Sequence, residues 1–291
     1  MPRSRPGPGG ARVEHRYLVR FAYDGTGFAG WARQPGLRTV EGEIRRGLVR
    51  LGLYDDERSI ALEVASRTDR GVSARANALT ITSPLDPDAL GRAMNGIAGS
   101  IRFTHVVEVP FGFRTRGAIE RVYRYWERPE RRVPPAWKEA ARRLSGPLDI
   151  RSFGRGIPRS APVVRTVTSV DPHLRAGWLV VDVRARSFVW GMVRKIVSAL
   201  RAVEDGRLPM ERLEAAVRGG EPVALPLAEP DRLVLWDVRY PAPWSGPARP
   251  EAPHQQRYVH RESVRSAARS QILRAIRSPS AARTAAGNAR R

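Results

Sequence analysis

The sequence predicts an α+β fold of two related halves, each a mainly antiparallel sheet with helices on one face, around a basic central cleft. Strand and helix patterns are mixed without the strict alternation of parallel βαβ units, which favours the α+β class. The order of elements after residue 110 loosely repeats the order before it. With 291 residues, 42% of them hydrophobic, the chain is long and apolar enough for two cores. A cleft between two such halves is a natural binding site.

Residues 13–109 are predicted to form the N-terminal half, in the order β-α-β-β-α-β. Apolar and aromatic residues alternate from Val13 to Tyr23, which is the period of a half-buried strand. Ile44 and Leu48 recur at helical spacing behind Thr39, an N-cap residue type, and predict a helix over 40–51. The remaining patterns predict strands over 60–66 and 76–82, a helix over 87–95 opened by Pro87, and a strand over 101–109.

Residues 110–240 are predicted to form the C-terminal half. The patterns predict a strand over 118–127, a helix over 136–144, strands near 163–170 and 177–185, helices over 190–203 and 209–218, and a closing strand over 231–240.

Both ends of the chain are predicted to be mostly disordered. Residues 1–12 are basic and rich in glycine and proline, and residues 241–291 are rich in Pro, Ala, Ser and Arg. Ile272, Leu273 and Ile276 have the spacing of a short helix, but the sequence offers nothing that would bury it.

The formal net charge of +22 predicts attraction to a polyanion, with a nucleic acid as the first candidate. Half of this excess lies on residues 13–240 and half on the two ends. A basic face on the folded part is therefore expected, as well as basic tails.

Several classes of site are not expected. The absence of cysteine excludes disulfides, thiolate metal sites and cysteine nucleophiles. The five histidines lack ligand spacing, so no metal site is predicted. No stretch approaches the roughly 20 apolar residues of a membrane span. The N-terminus MPRSRPGPGG lacks the apolar core of a signal peptide, which predicts a cytoplasmic protein without membrane association.

Gly25, Gly27 and Gly30 spell G-x-G-x-x-G directly after the first predicted strand. A dinucleotide site needs the last glycine to open a helix whose N-terminus faces the pyrophosphate. Here Trp31 follows, and the predicted helix begins only near Val40. No nucleotide cofactor is therefore predicted, which also argues against a methyltransferase.

The loop Arg67-Thr68-Asp69-Arg70-Gly71-Val72 places one carboxylate between two guanidinium groups. Nearby cations hold an aspartate ionised, and an ionised aspartate can attack an electrophilic carbon. The alternative is a loop aspartate that caps a helix or pairs with arginine for structure. These six residues alone leave both interpretations open.

The strand predicted around 119–126 carries arginines and aromatics on both faces. Its period of two places Arg121, Tyr123 and Tyr125 on one face and Val122, Arg124 and Trp126 on the other. Aromatics interleaved with arginine stack flipped bases and hold phosphates. The alternative is a core strand whose tyrosines simply pack.

Arg194 lies near the start of the helix predicted over 190–203, beside an apolar stripe that includes Val193 and Ile196. A cation at a helix N-terminus is unfavourable for the helix dipole, so local stability does not explain it. A carboxylate partner or an RNA phosphate would.

Five segments together resemble the tRNA pseudouridine synthase A family, in matching order and spacing over about residues 15–240. They are YDGTGFAGW (23–31), TVEG (39–42), RTDRGVSA (67–74), FRTRGAIERVYRY (113–125) and SFVWGMVRKIV (187–197). The form RTDRGVSA, in place of the common bacterial RTDAGVHA, is closer to archaeal-type members.

The resemblance implies an enzyme that isomerises uridine to pseudouridine in transfer RNA, without metal or cofactor, at positions 38–40 of the anticodon stem-loop. It implies Asp69 as the catalytic aspartate, Tyr123 as the residue that stacks on uracil or removes the C5 proton, and Arg194 as the partner of Asp69. Arg67 matches the arginine that helps extrude the nucleotide, and Arg70 and Arg121 are further candidates for substrate binding. The family is usually homodimeric.

Whether the aspartate attacks the ribose, attacks the ring or removes a sugar proton stays open at this point. The competing hypothesis is a non-catalytic RNA-binding or ribosome-associated protein, for which the charge and the aromatic strands would suffice. Asp69 together with Arg194 argues against it, because a binding protein has no use for a desolvated carboxylate facing phosphate.

Overall fold

One mixed β-sheet forms the centre of the protein in the computed structural model. The structure describes residues 14–157, 163–241, 244, 272 and 276. Within them the strands are β1 (His15–Tyr23), β2 (Glu63–Val64), β3 (Ser73–Ser83), β4 (Ile101–Glu108), β5 (Glu120–Pro129), β6 (Gly146–Asp149), β7 (Val164–Arg175), β8 (Trp178–Ala185) and β9 (Leu233–Arg239). The α-helices with defined bounds are α1 (Val40–Arg50), α2 (Pro87–Asn95), α3 (Pro135–Leu144), α4 (Ile150–Phe153), α5 (Met192–Glu204) and α6 (Met210–Val217).

The sheet is mainly antiparallel, which confirms the predicted α+β class. Its order is β4-β1-β3-β9-β5-β8-β7-β6, and β2 pairs with β3 at the side. The single parallel pairing among the described strands joins β3 to β9, with Ser73 opposite Val234 and Ala74 opposite Leu235. This short contact connects the strands of the first 109 residues to those that follow, and it lies directly after the loop that contains Asp69.

Most predicted elements are confirmed, with small shifts at their ends. Thr39 accepts a hydrogen bond from the Gly42 amide at 3.2 Å and caps α1 as expected. Helix α2 covers the predicted residues 87–95, and its first turn is capped by Asp86. Helix α5 begins two residues later than predicted, because its N-cap Gly191 has a left-handed φ of 76°.

One predicted strand was wrong in extent, and two short elements were not predicted. The strand expected over 60–66 has only two paired residues, because the Arg45 guanidinium donates to the carbonyls of Glu57 and Ile60 in place of a neighbouring strand. Strand β6 and helix α4 were not predicted, since Gly146 and Pro147 together are typical of a turn.

One face of the sheet packs against the helices. Strand residues that alternate along the chain, such as Phe21 and Tyr23 of β1, share a core with apolar residues of all six helices. Trp137 of α3 and Ile196 of α5 are fully buried in this core. None of the helices in the described ranges is long and apolar enough to cross a membrane.

The opposite face carries a smaller apolar cluster, and two residues of the C-terminal segment complete it. Ile272 and Ile276 are helical and buried against Trp126, Val180 and Val234. The expectation that nothing would bury them was wrong, because the second face of the central strands supplies that surface. The predicted disorder of residues 1–12, and of the tail except positions 241, 244, 272 and 276, lies outside the described residues.

Charged and aromatic side chains surround this smaller cluster. Arg124 donates two hydrogen bonds to the Asp182 carboxylate, at 2.6 and 2.7 Å, and its guanidinium lies 3.8 Å from the centre of the Trp236 ring. Tyr123 and Tyr125 belong to the core on the helix side, and Trp126 to the cluster on this side. The predicted division of strand β5 into two faces is therefore confirmed for these residues.

Candidate active site

The loop that contains Asp69 connects β2 to β3 and packs against the glycine-rich segment after β1. A side chain at Gly25 would place its Cβ 2.1 Å from the Val72 carbonyl oxygen, so only glycine allows this approach. Gly30 has a φ of 110° and lies close to the backbone of Thr68 and Arg70. The first and last glycines of the G-x-G-x-x-G pattern therefore allow the contact of two backbones.

Hydrogen bonds fix the Asp69 loop in this contact. The Trp31 amide donates to the Thr68 carbonyl at 3.1 Å, and the Val72 amide donates to the Asp69 carbonyl at 3.1 Å. The Tyr23 and Thr68 hydroxyls are hydrogen-bonded at 2.8 Å in the core. A loop held at several backbone positions keeps its carboxylate in place without the binding of a ligand.

Asp69 and Arg194 form an ion pair. Arg194 Nη1 lies 3.2 Å from Asp69 Oδ2, and both side chains are partly buried. Arg194 Nε donates to the Ala228 carbonyl at 2.5 Å, which connects the first turn of α5 to the segment before β9. The unfavourable cation at this helix start therefore has a carboxylate partner, one of the two kinds of partner that the sequence left open.

Asp69 lies on the wall of a cavity of about 640 Å³. The cavity is also lined by Tyr123 of β5, by Val64 of β2, and by Phe188 and Trp190 from the segment before α5. Its size is within the range of small-ligand sites. The structure thus brings Asp69, Tyr123 and Arg194 to one cavity, together with Arg67 and Arg121.

Tyr123 is held by polar and aromatic contacts at the cavity wall. It is 6% exposed, and its hydroxyl is hydrogen-bonded to Ser66 Oγ at 2.9 Å. Phe188 packs edge-on against its ring, with the ring centres 5.1 Å apart. Burial raises the pKa of Tyr123 to about 12, and the Asp69 charge adds to this effect. The phenol therefore stays protonated near neutral pH.

Arg121 lies under the cavity with its guanidinium held by backbone carbonyls. Nε and Nη2 donate to the Ala65 carbonyl at 3.1 and 2.8 Å, Nη2 also donates to Arg116 at 3.1 Å, and Nη1 donates to Arg186. Burial lowers its pKa from the ordinary value of arginine. These bonds support a role in shaping the cavity, and its predicted contact with substrate stays a prediction.

Arg67 and Arg70 flank Asp69 and are both exposed. Arg67 lines the first cavity and also a second one of about 600 Å³ on the other side of Asp69, whereas Arg70 lines only the second. Among the described residues, the two cavities are together lined by seven arginines and a single carboxylate, Asp69. This balance strongly favours an anionic ligand.

Several residues at the site were not singled out from the sequence. Ser66 and Phe188 position Tyr123, and Trp190 stands exposed between the two cavities. Phe188 and Trp190 lie in the quoted segment 187–197, where two aromatics directly before a helix are a usable signal. In the described part of the chain, no group of three or more His, Cys, Asp or Glu side chains is arranged to hold a metal.

Comparison with known proteins agrees with this arrangement. A family model described as tRNA pseudouridine synthase matches residues 140–241. The proteins named tRNA pseudouridine synthase A from Thermococcus onnurineus and Thermococcus kodakarensis are 38% and 39% identical, over 77% and 78% of this chain and 85% of each relative. The protein of the same name from Frankia casuarinae is 37% identical over 78% of this chain and 89% of its own length. With such identity over more than three quarters of its length, the chain belongs to the tRNA pseudouridine synthase A family.

Proposed function

We propose that the protein isomerises uridine to pseudouridine in transfer RNA, with Asp69 as its catalytic carboxylate. The observation that carries this proposal is the Asp69–Arg194 ion pair on the wall of a cavity that also contains Tyr123. Membership of the family supplies the reaction type. The excess of arginine around a single carboxylate supports a polyanionic substrate.

The reaction breaks the bond between uracil N1 and ribose C1′ and forms one between C5 and C1′, while the C5 proton leaves and N1 gains a proton. It needs no redox partner and no second substrate. In the described part of the chain, Asp69 is the one carboxylate that lines either cavity. Its oxygens are therefore the anionic groups available for attack on the ribose, attack on the ring or removal of a sugar proton. Arg194 orients this carboxylate.

Tyr123 is proposed to stack on the extruded uracil. Its position in the cavity and its contact with Phe188 support an aromatic surface for the base. The raised pKa argues against a phenolate that removes the C5 proton at neutral pH. The hydroxyl, already hydrogen-bonded to Ser66, can instead contact a polar edge of the base.

Arg67 and Arg70 are proposed to hold the RNA around the extruded nucleotide, with Arg67 helping the base out of its stack. Both guanidinium groups are exposed beside Asp69, and extrusion of a base costs a few kcal/mol that new contacts must offset. Arg121 is proposed to act mainly through the backbone carbonyls that it holds.

The proposed substrate sites are uridines at positions 38–40 of the anticodon stem-loop, as the family implies. We further propose that residues 13–109 and 110–240 act as two related halves around the basic cleft, that the protein works as a homodimer in the cytoplasm, and that basic residues of both ends assist RNA binding. These points rest on the family and on the distribution of charge.

The proposal is tested by incubating the purified protein with a transfer RNA transcript, without added metal or cofactor, and mapping pseudouridine by chemical labelling. Pseudouridine at 38–40 supports it. RNA binding without any pseudouridine would favour the non-catalytic RNA-binding alternative. Pseudouridine elsewhere would keep the reaction and change the substrate site.

A further inference from the structure

Two cavities meet at Asp69, and the reaction as proposed uses one of them. The residues that line both are Arg67, Thr68, Asp69, Trp190 and Arg194. The first cavity contains Tyr123 and takes the target base in the proposed function. The second contains Arg70, Arg155, Leu227 and Pro230, and its volume of about 600 Å³ is that of a small-ligand site.

Trp190 is a large aromatic side chain at the boundary of the two cavities, and it is 55% exposed. The Arg155 guanidinium lies 4.8 Å from the centre of its ring, and the Arg155 amide donates to the Trp190 carbonyl at 3.0 Å. A Cβ on Gly156 would contact the ring edge at 3.4 Å. The ring is therefore held in place by its neighbours, yet much of it stays open to solvent.

The chemistry of the second cavity fits a nucleotide. Arg70 and Arg155 supply positive charge, and Asp69 is the one carboxylate among the described residues that line it. Leu227 and Pro230 supply apolar surface. Bases of single-stranded RNA stack on aromatic side chains while arginines hold the phosphates. Because RNA is a continuous chain, a target nucleotide in the first cavity brings a covalent neighbour to its entrance.

We infer that Trp190 and Arg155 form a second nucleotide subsite, in which the base next to the target uridine stacks on Trp190 and its phosphate contacts Arg155 or Arg70. This inference rests on the proposed function, since it takes the first cavity as the site of the target. It makes Trp190 a positioning residue, which holds the RNA chain so that the extruded uridine reaches Asp69.

The test is a double-mutant cycle on binding of a transfer RNA anticodon stem-loop with a single uridine among positions 38–40. The base is removed in turn from the nucleotide before and the nucleotide after that uridine, and dissociation constants are measured for wild type and Trp190→Ala. Loss of stacking on one base is expected to weaken binding roughly 5- to 100-fold. At one of the two neighbours, removal of the base should weaken RNA binding by wild type by a similar factor. The same removal should hardly change RNA binding by Trp190→Ala.

Two variants separate stacking from folding. Trp190→Phe keeps an aromatic face and should keep most of the coupling, whereas Trp190→Leu keeps apolar bulk and should lose it. Phe111→Ala is the matched control, because Phe111 is 63% exposed and lines neither cavity. This control should bind the intact and the abasic RNAs as wild type does. The melting temperatures of all variants are compared to detect any loss of folding.

The inference would be wrong if, at both neighbours, the effects of base removal and of Trp190→Ala on binding were independent of each other. It would also be wrong if Trp190→Ala bound intact RNA as tightly as wild type does. The readout is separable from the reaction because it needs no turnover. If Trp190 and the base at one neighbour were coupled but the protein formed no pseudouridine, the proposed function would be rejected and the subsite would be kept. If pseudouridine formed but no such coupling were found, the subsite would be rejected and the proposed function kept.

Discussion

Arg194 Nη1 lies 3.2 Å from Asp69 Oδ2, although 125 residues separate the two in the sequence. Asp69 belongs to a loop before β3, and Arg194 to the first turn of α5. The pair therefore forms where the strands of the N-terminal part join β9. An ion pair across this junction links the proposed catalytic loop to the rest of the sheet and depends on correct packing of both.

Asp69→Asn is expected to abolish pseudouridine formation and to leave RNA affinity within a few-fold of wild type. The amide keeps the shape but cannot supply the anionic oxygen that each proposed mechanism needs. Removal of one negative charge among seven arginines does not weaken attraction to phosphate. Single-turnover rate and dissociation constant are measured. Asp205→Asn, which changes an exposed carboxylate at the C-cap of α5, is the control. Retained turnover in Asp69→Asn would remove this residue from the mechanism.

Gly25→Ala is expected to destabilise the protein by about 2–3 kcal/mol and to lower activity further than stability alone explains. The new Cβ would lie 2.1 Å from the Val72 carbonyl oxygen, so the Asp69 loop must shift. Gly112→Ala is the matched control, because its Cβ would meet nothing within 4 Å. Denaturant unfolding and single-turnover rate are compared. If both variants behaved alike, the backbone contact would have no role at the site.

Local patterns in the sequence were enough to predict much of the fold. Thr39 and Pro87 marked two helix starts, because an N-cap side chain and a proline at the first helical position act over a few residues. The position of Arg194 at a helix start predicted only that it has an anionic partner. The identity of that partner, Asp69, came from the motifs of a known family. Ser66 beside Tyr123 and the burial of Ile272 depend on which distant strands become neighbours. Short-range periodicity carries no information of that kind.

Ile272→Ala and Ile276→Ala are each expected to lower the free energy of unfolding by about 2–5 kcal/mol. Both side chains are buried against Trp126, Val180 and Val234, so truncation leaves a void in that cluster. Leu174→Ala, at an exposed position of β7, should have little effect. Deletion of residues 241–291 should therefore reduce stability as well as weaken RNA binding modestly, with the modified position unchanged. Wild-type stability in all these variants would show that the segment does not pack on the sheet.

Arg67→Gln and Arg70→Gln are each expected to reduce the salt dependence of transfer RNA binding. A lost phosphate contact lowers the slope of log affinity against log salt by roughly 0.7 to 0.9. Arg207→Gln, which removes an exposed arginine paired with Asp205, should leave the slope unchanged. Dissociation constants measured over a series of salt concentrations give the slopes. Equal slopes for all three variants and wild type would place Arg67 and Arg70 outside the phosphate contacts.

Substitution of Tyr123 separates the stacking role from proton transfer. Tyr123→Phe keeps the ring and should retain most of the single-turnover rate, whereas Tyr123→Leu should lose the roughly 1–3 kcal/mol typical of base stacking. If the hydroxyl moved the C5 proton, the Phe variant would already lose about 10²-fold or more. A purely packing role would instead lower the melting temperature of both variants, with activity following the folded fraction.

The pH dependence gives an independent measure of the Tyr123 hydroxyl. Burial raises its pKa to about 12 in the folded protein, above the value of about 10 in an unfolded chain. A raised pKa contributes stability that is fully present below pH 10 and is lost as pH rises through 12. Tyr123→Phe should therefore lose less stability than wild type between pH 10 and 12, by an amount on the order of 2 kcal/mol. In wild type and Tyr123→Phe, the rate between pH 7 and 10 should show no rise that depends on the hydroxyl, because the proposed role of Tyr123 is stacking and not proton removal. A tenfold rise per pH unit in wild type that disappears in Tyr123→Phe would instead identify the phenolate as the base.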